Sequence, residues 1–249
     1  MRYPLLDTLR GFSILSMVLY HFCWDLVNLK GRILPWYSST PGYLWQQSIC
    51  WAFIFISGFS LALSLRHKKK TAALKKAVLL MLLGSLITAV TLLVMPQDPI
   101  WFGVLFLLGA AALVLPLLGG RTSLPPAAAC FFSFLFFFCT RNLPTGFLGF
   151  EHLLGPRLPS SLYTHGLPGA FLGFRGDAFH SADYFPLFPW VFLFAAGYFA
   201  CRALLKEDAL PDIFLGGSRV LSFPGRHSLL IYLLHQPLLV LMMPGISLF

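Results

Sequence analysis

Seven apolar stretches, most of them long enough for a helix to cross a lipid bilayer, constrain this chain more than any other feature. A transmembrane helix needs about 20 mostly apolar residues. Only 11% of the chain is charged, whereas a soluble domain carries about 25%. We therefore predict an all-α, polytopic membrane helix bundle of about seven transmembrane helices, which forms a single domain over residues 1–249. The predicted spans are Gly11–Leu29, Gln47–Leu65, Ala77–Met95, Ile100–Leu118, Pro126–Thr140, Phe185–Leu205 and Ser228–Ile246.

The distribution of basic residues predicts the orientation of the bundle. The densest basic cluster, Arg66–Lys76, lies between the second and third stretches, and the positive-inside rule places such a loop in the cytoplasm. With seven spans, the N-terminus is then cytoplasmic and the C-terminus lies outside. The net charge of +9 is thus attributed to topology, and no nucleic acid partner is expected. Whether the short fifth stretch crosses completely stays open.

Two connecting segments on the predicted outer side are long. They are residues 30–44 and residues 141–184, and the second precedes the sixth helix. Segments of this length without regular structure are usually functional or disordered. Because residues 141–184 are rich in aromatic side chains, we expect them to be ordered and to fold over the outer mouth of the bundle.

The first apolar stretch and the turn that precedes it carry four ionisable residues on one predicted face. If one helix runs from Asp7, a rotation of about 100° per residue places Asp7, Arg10, His21 and Asp25 within a sector of about 60°. The other sectors carry apolar side chains. Ionisable residues inside a membrane are costly and face the bundle interior or a water-filled cavity, where they mark functional sites. We therefore predict an inward-facing polar stripe on this helix.

His21 and Asp25 have the residue types and spacing of a general base. They lie one helical turn apart, so that the carboxylate can orient the imidazole and raise its basicity. Arg10, paired with Asp7, lies about 16 Å along the helix from His21 at 1.5 Å per residue, where it suits a phosphate. Two structural alternatives stay open: an ion pair that fixes the helix end, and a polar contact between helices.

Further polar residues are candidates for lining a cavity. Tyr232, His235 and Gln236 lie in the last apolar stretch, and Asp183 and Trp190 lie where the outer segment returns to the sixth stretch. The five cysteines form no CxxC pair, so no metal site is predicted.

Four segments of the sequence resemble one family of membrane enzymes. They are LDTLRGFSILSMVLYHFCWDL, FIFISGFSLALS, SADYFPLFPWVFLFAAGYF and GRHSLLIYLLHQPLL, in this order along the chain. This set resembles the transmembrane acyltransferases, in particular the bacterial branch related to the catalytic domain of heparan-α-glucosaminide N-acetyltransferase. The resemblance implies an integral protein of the bacterial inner membrane, in the lipid bilayer. It also implies that His21 is the catalytic histidine and that Arg10 and Gly11 are the family's Arg-Gly pair.

The resemblance further implies a reaction. Acetyl-CoA or another acyl-CoA serves as donor on the cytoplasmic side, and a glycan or amino-sugar hydroxyl or amine on the far side is the acceptor. Arg10, Asp7, Lys69 and Lys70 are the expected donor-binding residues. His21 acts either as general base or as acyl carrier. A homo-oligomer is compatible with such a bundle.

Two other functions fit the same residues. A proton-coupled transporter could use His21, Asp25 and His235 as a proton relay, and a non-catalytic scaffold would not depend on His21. Consumption of acyl-CoA distinguishes an acyltransferase from both the transporter and the scaffold.

Overall fold

A computed structural model of the chain describes residues 3–67, 70–119, 123–205 and 209–243. Contacts between residues divide the chain into two compact units. One unit comprises Met1–Ile56 and Leu204–Phe249, and the other comprises Ser57–Ala203.

The described residues form nine α-helices and one β-hairpin. Each unit contains long helices, and the hairpin lies in the segment that precedes α7. The elements are α1 (Pro4–Asn28), α2 (Thr40–His67), α3 (Lys70–Val94), α4 (Val104–Gly119), α5 (Pro126–Cys139), β1 (Phe147–Phe150), β2 (Leu153–Arg157), α6 (Gly166–Leu172), α7 (Leu187–Leu204), α8 (Arg219–Arg226) and α9 (Ser228–Met242).

Each predicted span contains a helix, and the all-α membrane bundle is confirmed. Within the described residues, three helices are both long and apolar enough to cross a membrane, namely Thr40–Arg66, Lys70–Val94 and Leu187–Leu204. Three further apolar helices are shorter: Val104–Pro116, Pro126–Cys139 and Ser228–Met242. The predicted orientation relative to the cytoplasm stays a prediction.

Several helix boundaries differ from the predicted spans. Helix α2 begins at Thr40 and α3 at Lys70, each seven residues before the predicted span, whereas α4 begins at Val104, four residues after it. The early starts have a common reason, because hydropathy marks only the part of a helix inside the hydrocarbon, while polar turns continue the same helix beyond it. For the last span, Met242 is the end of α9, and residues 244–246 lie outside the described part of the chain.

The first unit is held together by a close crossing of α1 with α8, a short helix that the apolar pattern of the sequence does not predict. A Cβ atom on Gly11 would overlap the Leu221 carbonyl, and one on Gly225 would overlap the Asp7 carbonyl. The two glycines therefore let the two backbones touch. Small residues commonly permit such close approach between membrane helices. Gly11 thus has a packing role.

Thr8 fastens the beginning of α8 to α1. Its hydroxyl accepts a hydrogen bond from the Ser218 backbone N–H at 3.0 Å and lies 3.0 Å from the Ser222 hydroxyl. Ser218 is the N-cap of α8, and its own hydroxyl accepts from the Leu221 N–H. N-cap side chains satisfy backbone donors that the helix leaves free. The α1–α8 contact is therefore both tightly packed and hydrogen-bonded.

In the second unit, α2 and α7 also approach closely. A Cβ atom on Gly58 would overlap the Phe194 carbonyl, which agrees with close packing as the role of the small side chains in this part of α2.

The segment 141–184 is structured, as its aromatic content predicted. It contains the antiparallel hairpin β1–β2, the short helix α6 and two 3₁₀ turns. Two tyrosine hydroxyls tie it together, since Tyr163 donates to the Leu143 carbonyl and Tyr184 to the Ala170 carbonyl, each at 2.6 Å. Burial raises the pKa of both hydroxyls, so that they remain donors at neutral pH. Closure over the outer mouth of the bundle stays a prediction.

The glycine crossing yields a stability prediction. Gly11→Ala should lower the thermal stability of the purified protein in detergent, because the new methyl group overlaps the Leu221 carbonyl and forces α1 and α8 apart. Overpacking of this kind costs about 1–3 kcal/mol. Gly216→Ala is the matched control, since its Cβ would meet only ordinary contacts, the nearest at 3.4 Å. Equal melting temperatures for the two variants would contradict the tight crossing.

Candidate active site

Helix α1 runs without a break from Pro4 to Asn28, so the condition for a single polar stripe is met. Asp25 is completely buried, and His21, Asp7 and Arg10 are partly buried. Leu19 and Phe22, by contrast, are exposed apolar side chains on the same helix. The stripe therefore faces protein, as predicted for ionisable groups on a membrane helix.

The His21 ring is fixed by its own helix. Its Nδ1 atom lies 2.9 Å from the Met17 carbonyl. A carbonyl oxygen only accepts hydrogen bonds, so Nδ1 carries the proton and Nε2 presents a lone pair. The helical spacing predicts that Asp25 orients this ring, but the observed partner of Nδ1 is the Met17 carbonyl, one turn earlier.

Asp25 is instead held by the last helix. Gln236 on α9 donates through Nε2 to Asp25 Oδ1 at 2.7 Å. Two buried oxygens next to this bond, Asp25 Oδ2 and Gln236 Oε1, make no hydrogen bond within the described part of the chain. Buried polar atoms normally have partners, and both of these atoms are acceptors. The pair therefore suits a molecule that donates hydrogen bonds.

His235 lies against His21. The two ring centroids are 4.7 Å apart at an interplanar angle of 78°. His235 is 9% exposed, and its Nδ1 lies 2.6 Å from the Tyr232 carbonyl. By the same tautomer argument its Nε2 carries a lone pair, and this atom is buried without a partner among the described residues. The structure thus brings together four predicted residues, His21, Asp25, His235 and Gln236, with Tyr232 next to them.

An aromatic cluster beside His21 was not predicted as part of the site. The Tyr20 ring lies 5.0 Å from Tyr37, 5.3 Å from Trp45 and 6.0 Å from His21. Trp45 donates through Nε1 to the Ser16 hydroxyl at 2.8 Å. Tyr37 lies in the connection between α1 and α2, and burial raises the pKa of its hydroxyl.

At the other end of α1, Arg10 and Asp7 form the predicted ion pair, with Arg10 Nη1 3.4 Å from Asp7 Oδ1. Both side chains are largely shielded, at 21% and 15% exposure. Lys70 is an exposed residue at the start of α3. Lys69 lies outside the described residues.

Asp183 and Trp190 belong to the second unit. Trp190 is 4% exposed and packs against Phe137, with the Arg141 guanidinium 4.8 Å from its ring centroid. This is the environment of a core residue. Asp183 is partly buried, and its carboxylate lies beside Gly103. Membership of both residues in a site with His21 stays a prediction.

Comparison with known proteins identifies the family. A sequence model described as "Heparan-alpha-glucosaminide N-acetyltransferase, catalytic" matches residues 2–237. No curated protein and no solved structure matches the chain. The match spans the polar stripe of α1, the α1–α8 crossing and the residues of α9 that meet His21 and Asp25. The chain belongs to the family of the catalytic domain of heparan-α-glucosaminide N-acetyltransferase.

Proposed function

We propose that this protein is an acyl-CoA-dependent acyltransferase of the bacterial inner membrane. It takes an acyl group, acetyl in the simplest case, from a donor on the cytoplasmic side and transfers it to an extracytoplasmic sugar hydroxyl or amine. His21 is the residue on which the chemistry depends. The observation that carries the proposal is its Nε2 lone pair, fixed by the Nδ1–Met17 hydrogen bond in a chain of this family.

His21 is suited to take a proton from the acceptor. A neutral imidazole with a free Nε2 is a base whose ordinary pKa lies near neutrality. The Asp25 carboxylate is close enough to interact electrostatically with the ring. A buried negative charge at this position stabilises the imidazolium that forms when the proton arrives.

Arg10 is suited to hold the donor. It lies about 16 Å from His21 along α1, at 1.5 Å per residue. Coenzyme A carries its phosphates at one end and its thioester at the end of a long arm. A guanidinium is a permanent cation that binds phosphate oxygens through two donors. With the phosphates near Arg10, the arm can run along α1 and bring the thioester to His21.

The acceptor has a matching environment on the other side of His21. Asp25 Oδ2 and Gln236 Oε1 are buried acceptors that a hydroxyl or amine can satisfy. The rings of Tyr20, Tyr37 and Trp45 form an apolar wall with polar edges, which suits a sugar. These groups would hold the acceptor's nucleophilic atom while the rest of the molecule projects outward.

The bonds and the proton balance as follows. The acceptor's O–H or N–H gives its proton to His21 Nε2, and the oxygen or nitrogen attacks the thioester carbonyl carbon. The C–S bond then breaks, and the proton on His21 passes to the departing sulfur to give free coenzyme A. In the alternative path His21 Nε2 attacks the thioester carbonyl carbon, and the C–S bond breaks to release the coenzyme A thiolate. The acceptor's oxygen or nitrogen then takes the acyl group from Nε2, and its proton passes to the thiolate to give free coenzyme A.

Replacing the histidine tests the proposal. His21→Ala should reduce acyl transfer from acetyl-CoA to a soluble amino sugar by about 10²–10⁴-fold, the usual contribution of a general base. Product formation in detergent or liposomes is the measurement. His152→Ala, which removes an exposed histidine in the hairpin connection, should leave the rate unchanged. Equal activity of His21→Ala and the wild type would remove His21 from the mechanism.

A labelling experiment separates the two paths. Radiolabelled acetyl-CoA is added without acceptor, and the protein is recovered after denaturation. An acyl-histidine path predicts label on the wild type that is lost in His21→Ala, whereas direct transfer predicts no label on either protein.

A second substitution tests the donor end. Arg10→Ala should raise the KM for acetyl-CoA about tenfold or more while changing the KM for the acceptor little, because a charge-assisted phosphate contact is lost. Arg32→Ala, at an exposed position in the connection after α1, is the control. An unchanged acetyl-CoA KM in Arg10→Ala would contradict the assigned role.

The charge of Asp25 can be tested without changing its shape. Asp25→Asn keeps an oxygen that can accept from Gln236 but removes the negative charge that stabilises the His21 imidazolium. We expect kcat to fall about tenfold or more. The measurement is steady-state kinetics, with a thermal melt to show that the protein remains folded. A folded variant with wild-type kcat would show that the charge is not used.

A further inference from the structure

Two basic nitrogens, rather than one, lie at the proposed centre. Each histidine donates its Nδ1–H to a carbonyl of its own helix, His21 to Met17 and His235 to Tyr232. Each therefore keeps an Nε2 lone pair. The ring centroids are 4.7 Å apart, so the two rings are in van der Waals contact, and no hydrogen bond joins them in the described structure.

The surroundings favour one positive charge at this pair. Among the described residues, Asp25 and Tyr20 on α1 and Tyr232 on α9 are titratable groups near the two rings, and Tyr37 in the following connection packs against Tyr20. Asp25 is the only carboxyl group among them. One buried carboxylate can balance one imidazolium, whereas two adjacent imidazolium ions would repel each other in a poorly solvated site.

We propose that His21 and His235 work as a dyad that shares a single proton. When His21 Nε2 receives a proton, a small rotation of one ring turns the edge-to-face contact into an N–H···N hydrogen bond to His235 Nε2. His235 is then a positioning residue that stabilises the protonated form of His21. This inference rests on the proposed function for its role in acyl transfer, but the sharing itself is a property of the resting protein.

The proton balance of the reaction is unchanged by the dyad. One proton leaves the acceptor's O–H or N–H, resides between the two Nε2 atoms while the C–S bond breaks, and ends on the sulfur of coenzyme A. No second proton is stored. The buried lone pair of His235, which has no hydrogen-bond partner among the described residues, thereby gains one at the stage where positive charge appears.

The proton count can be measured without any substrate. The probe is the set of ¹⁵N-labelled histidine signals of the full chain in detergent micelles, followed by NMR between about pH 5 and 8, where imidazoles titrate. Signals are assigned with His21→Gln and His235→Phe. His235→Phe keeps an aromatic ring against His21 but has no nitrogen, and His235→Asn is a second variant in case the first does not fold.

If the two histidines share a proton, the direction in which the His21 titration midpoint moves in His235→Phe is fixed. The wild-type pair should take up one proton in this range, with both rings responding at a common midpoint. In His235→Phe the midpoint of His21 should fall by about one pH unit or more, because the charged form loses a hydrogen bond. Independent uptake of two protons by the wild type, or an unchanged or higher His21 midpoint in His235→Phe, would overturn the proposal.

A kinetic measurement connects the dyad to catalysis and keeps the two proposals distinguishable. If His21 is the base, the rate rises as pH rises through its midpoint, so His235→Phe should shift that limb to lower pH and reduce the plateau rate. A protein that shares the proton but does not consume acetyl-CoA would contradict the proposed function and leave the dyad standing. Acyl transfer by a protein whose two histidines titrate independently would contradict the dyad and leave the proposed function standing.

Discussion

The hydrogen bond from Gln236 to Asp25 is the interaction on which the candidate site depends. A carboxylate that is completely buried in the last turn of α1 is costly, because water cannot solvate it and the helix end there is already partly negative. Gln236 satisfies one of its oxygens and thereby fixes α9 against α1. That register places His235 one helical position away, in contact with His21.

The α1–α8 crossing supports the same arrangement from the other end of α1. Gly11 and Gly225 remove the side chains that would separate the backbones, and Thr8 ties the first turn of α8 to α1. Because α9 follows α8 after a single residue, His227, the position of α8 limits where α9 can lie. Two adjacent residues thus have different roles: Arg10 carries the charge proposed for the donor, and Gly11 permits the contact that aligns the helices.

Hydropathy and helical periodicity predicted the main features because both follow directly from the bilayer. An apolar stretch marks a span, and a polar stripe on a span must face protein, so α1 and its inward face could be derived from residues alone. Helix α8 escaped prediction because it is short and interrupted by Pro224. The hydrogen-bond partners of individual atoms could not be predicted either. Periodicity places His21 and Asp25 on one face of α1. It does not reveal that the Met17 carbonyl binds the His21 ring or that Gln236 donates to the Asp25 carboxylate. Tyr37 and Trp45 were missed because aromatic residues near a span end are usual at a membrane surface.

Acyl transfer across a sealed membrane is the most direct test of this account. Purified protein is reconstituted in one orientation in liposomes, with labelled acetyl-CoA on the face that carries the Arg66–Lys76 cluster and an amino sugar on the opposite face. We expect labelled, acylated sugar on the side away from the donor, and none when the two substrates exchange sides. Product on the donor's side, or no consumption of acetyl-CoA, would contradict it.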